Sequence, residues 1–177
     1  MPKIETIEKG AAGADVKEIY DNIESAFGMV PNLFKTSAHY PPLLKANWEK
    51  VKAVMMTGAM SRKSKEAIAV LVSSDNGCDY CVGAHRAMLK MLGVAEEEIL
   101  FILNDELEKA GIEGKEAPLV RLARAANINP HAIPGTIFKD LKLEGATDAE
   151  VVEALGVMEA FTSFNKFLDA LEVAIDF

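Results

Sequence analysis

The chain has 177 residues, 50% hydrophobic and 26% charged, a composition that builds a core and excludes a disordered polymer. With 19 basic against 27 acidic residues the formal charge is -8, and the densest basic spot is only RKSK at 62–65, which excludes a general nucleic-acid binder. No uncharged apolar run reaches 18 residues, so no membrane-spanning helix is predicted.

The opening MPKIETIEKG lacks the apolar stretch of a signal peptide, and the expected location is cytoplasmic. In ADVKEIYDNIESAFG, the residues Val16, Ile19, Tyr20, Ile23 and Phe27 share a helical face that Gly28 can close. MVPNLFKTSAHYPP reads as an irregular connector anchored by Val30, Leu33 and Phe34. A helix then starts at the paired prolines and carries Leu44, Trp48, Val51 and Met55 inward. Ser61 can cap the next helix, which the pattern carries to about Ser74 with Ile68, Leu71 and Val72 facing the core. IAVLV at 68–72 is the most strand-like run, but charged residues lead into it without a break, and a helix fits better.

Asp75-Asn76-Gly77 signals a turn, with Asp75 or Asn76 as candidate cap of a helix through AHRAMLKMLG. Further helices are predicted at 95–109, 115–127, 133–143 and from Thr147 to about Ala174, the last opened by a Thr147–Glu150 capping box. The expectation is an all-α protein of seven or eight helices in one domain, 1–177. Within it, the N-terminal helices and connector take 1–60, a cysteine-bearing core 61–110 and a C-terminal part 111–177. GVAEEEI at 93–99 echoes GATDAEV at 145–151, which raises the idea of an internal duplication.

The only two cysteines stand in DNGCDYCVGAH at 75–85. Cys78 and Cys81 are three apart and His85 follows four later, so all three line one helical stripe near a helix start, where free N–H groups favour thiolate. One cysteine can attack an electrophilic oxygen or sulfur, the other can resolve the product as a disulfide, and His85 can relay the proton. Glu66, on the preceding helix, is the candidate that orients His85. Two other readings stand beside this one: a zinc site using the two sulfurs, His85 and Glu66, and a pair of inert core cysteines.

The segment KEAIAVLVSSDNGCDYCVGAH resembles the active-site stretch of the AhpD-like, carboxymuconolactone decarboxylase superfamily, in its peroxidase-related, alkylhydroperoxidase-like branch. GMVPNLFKTSAHYPPLL upstream and INPHAIPGTIFKDLKLEGATDAEVVEALGVMEAFTSFNKFLDAL downstream extend the resemblance over most of the chain. The family pattern of glutamate, eleven residues, Cys-x-x-Cys, three residues and histidine falls on Glu66, Cys78, Cys81 and His85. The resemblance implies an AhpD-like helical fold without a cofactor, assembled as a dimer, trimer or hexamer. It also implies an antioxidant thiol peroxidase with Cys81 as the peroxidatic cysteine, Cys78 as the resolving one and a histidine–glutamate relay. Its partners would be a peroxide and an external thiol or lipoyl-type reductant, with no nucleic acid and no membrane.

Alkylhydroperoxidases carry a histidine where this chain has Tyr80, a departure that bears on partner and substrate. Carboxymuconolactone decarboxylases proper lack the cysteine pair, so a lyase is a lesser alternative. A thiol–disulfide oxidoreductase for a protein or lipoyl partner, and a non-enzymatic helical assembly, complete the set. His39 and His131 sit in proline-containing connectors and read as caps or surface polarity, with His39 able to approach the pocket. Trp48, Phe34 and the methionines Met55, Met56 and Met60 read as core or subunit contacts. Phe161, Phe164 and Phe167, at spacings of three, read as packing; Asn165 resembles a common position of the family, with a simple polar exit from that stripe as the alternative.

Overall fold

The computed structural model of the chain describes all residues, 1–177, and every regular element in it is helical. Nine α-helices follow in order: α1 (Ala14–Phe27), α2 (Asn32–Ser37), α3 (Pro41–Val51), α4 (Arg62–Asn76), α5 (Asp79–Met91), α6 (Glu96–Leu103), α7 (Glu116–Ile128), α8 (Gly135–Leu143) and α9 (Asp148–Leu171). A π-helical turn over Lys52–Met56 extends α3. The count exceeds the seven or eight expected because the 29–42 connector folds its anchors Leu33 and Phe34 into the short α2. The helix expected over 95–109 stops at Leu103, beyond which Asp105 takes φ 61, a left-handed value that ends the run.

α4 is the axis of the protein. It packs on α5, α7 and α9, and every residue from Ser64 to Ser73 is buried. IAVLV looks strand-like for that reason: a helix enclosed on all sides loses the polar stripe that usually reveals its period. Each fully buried Ile68, Leu71 and Val72 contributes about 1.5–3 kcal/mol by leaving water. Ser61 caps α4 as expected, its hydroxyl accepting from the Ser64 N–H at 3.2 Å.

The α4–α5 turn differs from expectation in detail. α4 continues to Asn76, Gly77 closes it at φ 75, and Cys78 itself is the residue that caps α5. Asp75 and Asn76 are therefore in the last turn of α4 instead of capping α5. Asp75 holds Arg124 of α7 through two 2.8 Å bonds, and the Asn76 amide donates to Asn127 and Asn165. These long-range bonds tie the turn to α7 and α9, and so fix where the cysteine segment starts.

Both echoing segments open helices in one way: the third-residue glutamate accepts the cap N–H at 2.9 Å, Glu98 from Ala95 and Glu150 from Thr147. Bonds from Lys115 and from the Thr147 backbone and hydroxyl hold the Glu150 carboxyl down at about 2, against an ordinary 4.5. A depressed carboxyl stabilises the fold fully above its unfolded value, and that contribution fades as pH falls from about 4.5 toward 2. Glu150→Gln is expected to cost about 1 kcal/mol at neutral pH. Thermal melts of the variant and parent should converge as the pH approaches 2; parallel curves would remove this account of the cap.

Candidate active site

The α4–α5 hairpin brings Glu66 back over His85, as the spacing predicted. The Glu66 carboxylate accepts from His85 Nδ1 at 2.6 Å, although Glu66 is wholly buried and His85 only 8% exposed. Its other oxygen accepts from Arg62 Nε at 2.7 Å, one helical turn earlier. Arg62 also donates through Nη1 to the Met55 carbonyl at 3.0 Å. That carbonyl lies in the last turn of the π-helical segment, where no further helical N–H follows to take it. Burial alone would push the Glu66 carboxyl up; the attraction and hydrogen bonding of His85, with Arg62 behind it, outweigh burial and leave it lowered. His85 Nε2 is the ring nitrogen left without a protein partner, and Phe161 braces the ring edge-on at 4.2 Å between centroids.

The sulfurs are free thiols, both buried. Hydrogen bonding from Cys81, side chain and backbone, outweighs burial and lowers the Cys78 thiol. Cys81 is pushed up, first by its bond with Cys78 and then by burial, while Asn165 and Ser73 pull it the other way. The pair thus gives up one proton readily and a second only against the first negative charge. No hydrogen bond joins His85 directly to either sulfur.

A cavity of about 200 Å³ connects them. Cys81, His85, Glu66 and Arg62 line it, and the rest of its wall is largely apolar, including Phe27, Phe34, Met55, Met88, Phe161 and Phe164. Cys78 is not on this wall, so only one of the two cysteines lines the cavity. Tyr80 lines it too, but its hydroxyl donates to Asp176 at 2.8 Å and accepts from the Leu33 N–H at 3.4 Å. Burial first, and then Asp176, raise its phenol, which therefore stays protonated.

Residues 41–117 match the carboxymuconolactone decarboxylase family. An alkyl hydroperoxide reductase of Mycobacterium tuberculosis is 32% identical over 90 residues, which are 51% of this chain and 26% of that protein. The matched stretch therefore spans about a quarter of the relative's length. Crystal structures of peroxidase-related proteins from Ralstonia eutropha and a Silicibacter species superpose with TM-scores of 0.85 and 0.84. They are 24% and 20% identical, and each alignment covers 99% of this chain and 92% of the other. Over residues 41–117 the chain is similar to the carboxymuconolactone decarboxylase family, and over its whole length its fold is that of these peroxidase-related proteins. The debrominase Bmp8, solved with 2,3,4-tribromopyrrole, has the same fold at 18% identity, with a TM-score of 0.83 over 97% of this chain and 90% of its own. One fold thus carries more than one chemistry among these proteins.

The remaining side chains singled out in the sequence divide between their expected places and new ones. His39 does not reach the cavity; its Nε2 meets the Glu5 carbonyl at 2.7 Å, and His131 is exposed. Phe34 and Met55 form cavity wall as well as core, whereas Trp48 is buried between Phe27 and Phe34 and Met56 is 39% exposed. Phe161 and Phe164 line the cavity; Phe167 does not. Asn165 is no polar exit. It is fully buried, donates to Ser73 at 3.0 Å, accepts from Asn76 at 2.9 Å and lowers the Cys81 thiol against the larger upward effects.

Arg62 is the residue that sequence reasoning overlooked, counted only as part of the RKSK spot. Its spacing four before Glu66 was the available signal. Arg62→Met is expected to cost about 3 kcal/mol in urea denaturation, because a buried carboxylate loses its guanidinium partner. The same change raises the Glu66 carboxyl, so acid destabilisation should set in at higher pH than in the parent. An unchanged acid limb would show that His85 alone holds the charge.

Proposed function

We propose that this protein is a thiol-dependent peroxidase, reducing hydrogen peroxide or small organic hydroperoxides in antioxidant defence. The observation that carries the reading is the placement of Cys81, paired with Cys78, on the wall of an apolar cavity that also holds the Glu66-bound His85. An apolar wall with one polar end suits an organic hydroperoxide, whose O–O group is its only polar part.

In the first step the Cys81 thiolate attacks the outer peroxide oxygen. An S–O bond forms, the O–O bond breaks, and the departing alkoxide takes a proton from His85, leaving Cys81 as a sulfenic acid. Glu66, accepting from Nδ1, stabilises the imidazolium that supplies this proton. Since no direct bond joins His85 to sulfur, the Cys81 proton moves through the cavity or onto Cys78. In the second step Cys78 attacks the Cys81 sulfur as its own proton passes to the departing hydroxyl, so that S–S forms, S–O breaks and water leaves. The dithiol has then given up two electrons, and an external dithiol restores it by exchange.

The buried sulfurs favour a slender reductant, such as a lipoyl arm, over the rigid surface of a folded protein disulfide. Cytoplasmic residence and a homo-oligomeric state belong to the same proposal. No helix is long and apolar enough to cross a membrane.

Stopped-flow mixing of the reduced protein with peroxide, with a dithiol reductant for turnover, tests the scheme. Cys81→Ser should abolish consumption, and Cys78→Ser should react once and stop at the sulfenic acid. Glu66→Gln and His85→Gln should each slow oxidation by about 10²-fold or more. Unchanged turnover without Cys81 would sink the proposal. Disulfide exchange without peroxide consumption would favour a thiol–disulfide oxidoreductase, and cysteine-independent decarboxylation a lyase.

A further inference from the structure

Beyond α9 the chain does not leave the protein. Glu172, at φ 49, ends the helix, and the following residues carry Phe177 to the wall of the cysteine cavity. Three hydrogen bonds hold them there. The Asn32 side-chain amide donates to the Ala174 carbonyl at 3.0 Å, the Asn32 N–H donates to the Asp176 carboxylate at 2.6 Å, and the Tyr80 hydroxyl donates to its other oxygen at 2.8 Å. Phe177 then meets the Tyr80 ring edge-on, at 5.1 Å between centroids, and forms part of the wall that Cys81 shares.

Gly83, two residues after Cys81, explains how the ring fits. Glycine within a helix costs about 1 kcal/mol relative to alanine. A Cβ at Gly83 would come within 2.7 Å of the Phe177 ring, so the missing side chain is the seat of the aromatic. Phe177 itself is 50% exposed, with one side on the cavity and the other in solvent. Such a group is held by its anchors and not by enclosure.

We propose that Phe177 is the specificity-determining wall of the Cys81 cavity. It limits the bulk of the molecule that reaches the sulfur, and Asp176, latched to Tyr80 and Asn32, sets its position. Tyr80 is then a positioning residue for this wall, not a donor to sulfur. The proposal extends the peroxidase reading by naming what selects its substrates, and it rests on Cys81 being the sulfur that the cavity serves.

Two measurements separate the fate of this proposal from that of the peroxidase reading. In the first, reduced protein carrying Cys78→Ser is alkylated at Cys81 with iodoacetamide and with N-(1-pyrenyl)maleimide, a small and a bulky reagent, and followed by mass spectrometry. Adding Phe177→Ala should raise the bulky-to-small rate ratio about tenfold. Gly83→Ala, which displaces the ring without removing it, should raise the ratio as well. Asp176→Ala should give a smaller rise, and Phe177→Leu should stay near the parent. In the second, protein with both cysteines is assayed on cumene hydroperoxide and hydrogen peroxide, where Phe177→Ala should shift kcat/KM toward the bulkier substrate. An alkylation ratio unmoved in Phe177→Ala and Gly83→Ala, with thermal melts showing both folded, overturns the wall. A ratio that moves in protein that never consumes peroxide retains the wall and overturns the peroxidase reading.

Discussion

A carboxylate without solvent exposure sits on the central helix, and its need for counter-charge organises what surrounds it. Glu66 would lose its charge to burial unless hydrogen-bond donors met both oxygens. One is His85, which requires α5 to return antiparallel over α4 through the Gly77 turn. The other is Arg62, whose remaining reach ends on the Met55 carbonyl in the π-helical turn. A single buried charge thereby ties α4, α5 and the end of the α3 extension into one arrangement. Because α4 also packs on α7 and α9, an error there would be felt by most of the core.

The same arrangement makes two neighbouring sulfurs unequal. Cys78, at the helix start, takes hydrogen bonds from Cys81 and bears the first negative charge more easily. Cys81, one turn on, lines the cavity, and Asn165 and Ser73 pull its thiol down against the larger upward effects. Access and acidity are thus divided between two residues. A dithiol so divided suits two-step chemistry in which one sulfur meets the substrate and the other closes the disulfide.

Much of this was legible in the chain because the features are local. The i, i+4 relation that puts Cys81 and His85 one turn apart needs only a helix, and the Thr147–Glu150 cap needs only four residues. The Glu66–His85 pairing was also within reach, since a short turn between two helices leaves few ways to fold back. Where the reading slipped, distance or context was responsible. Asp75 and Asn76 have the chemistry of caps, but bonds to Arg124, Asn127 and Asn165 on distant helices outbid the local role. Asn165 reads as a polar interruption until Ser73 and the sulfur are beside it.

By itself, then, the sequence determined an all-helical protein, put Cys81 and His85 one turn apart and offered Glu66 as the candidate partner of His85, since periodicity, caps and turns act within a few residues. Only the tertiary structure decided which cysteine lines the cavity, that Arg62 shares the buried charge, and that Asp176 meets Tyr80 from 96 residues away. Such contacts follow from how whole helices pack. No residue near Gly83 announces that its missing side chain is a seat for Phe177.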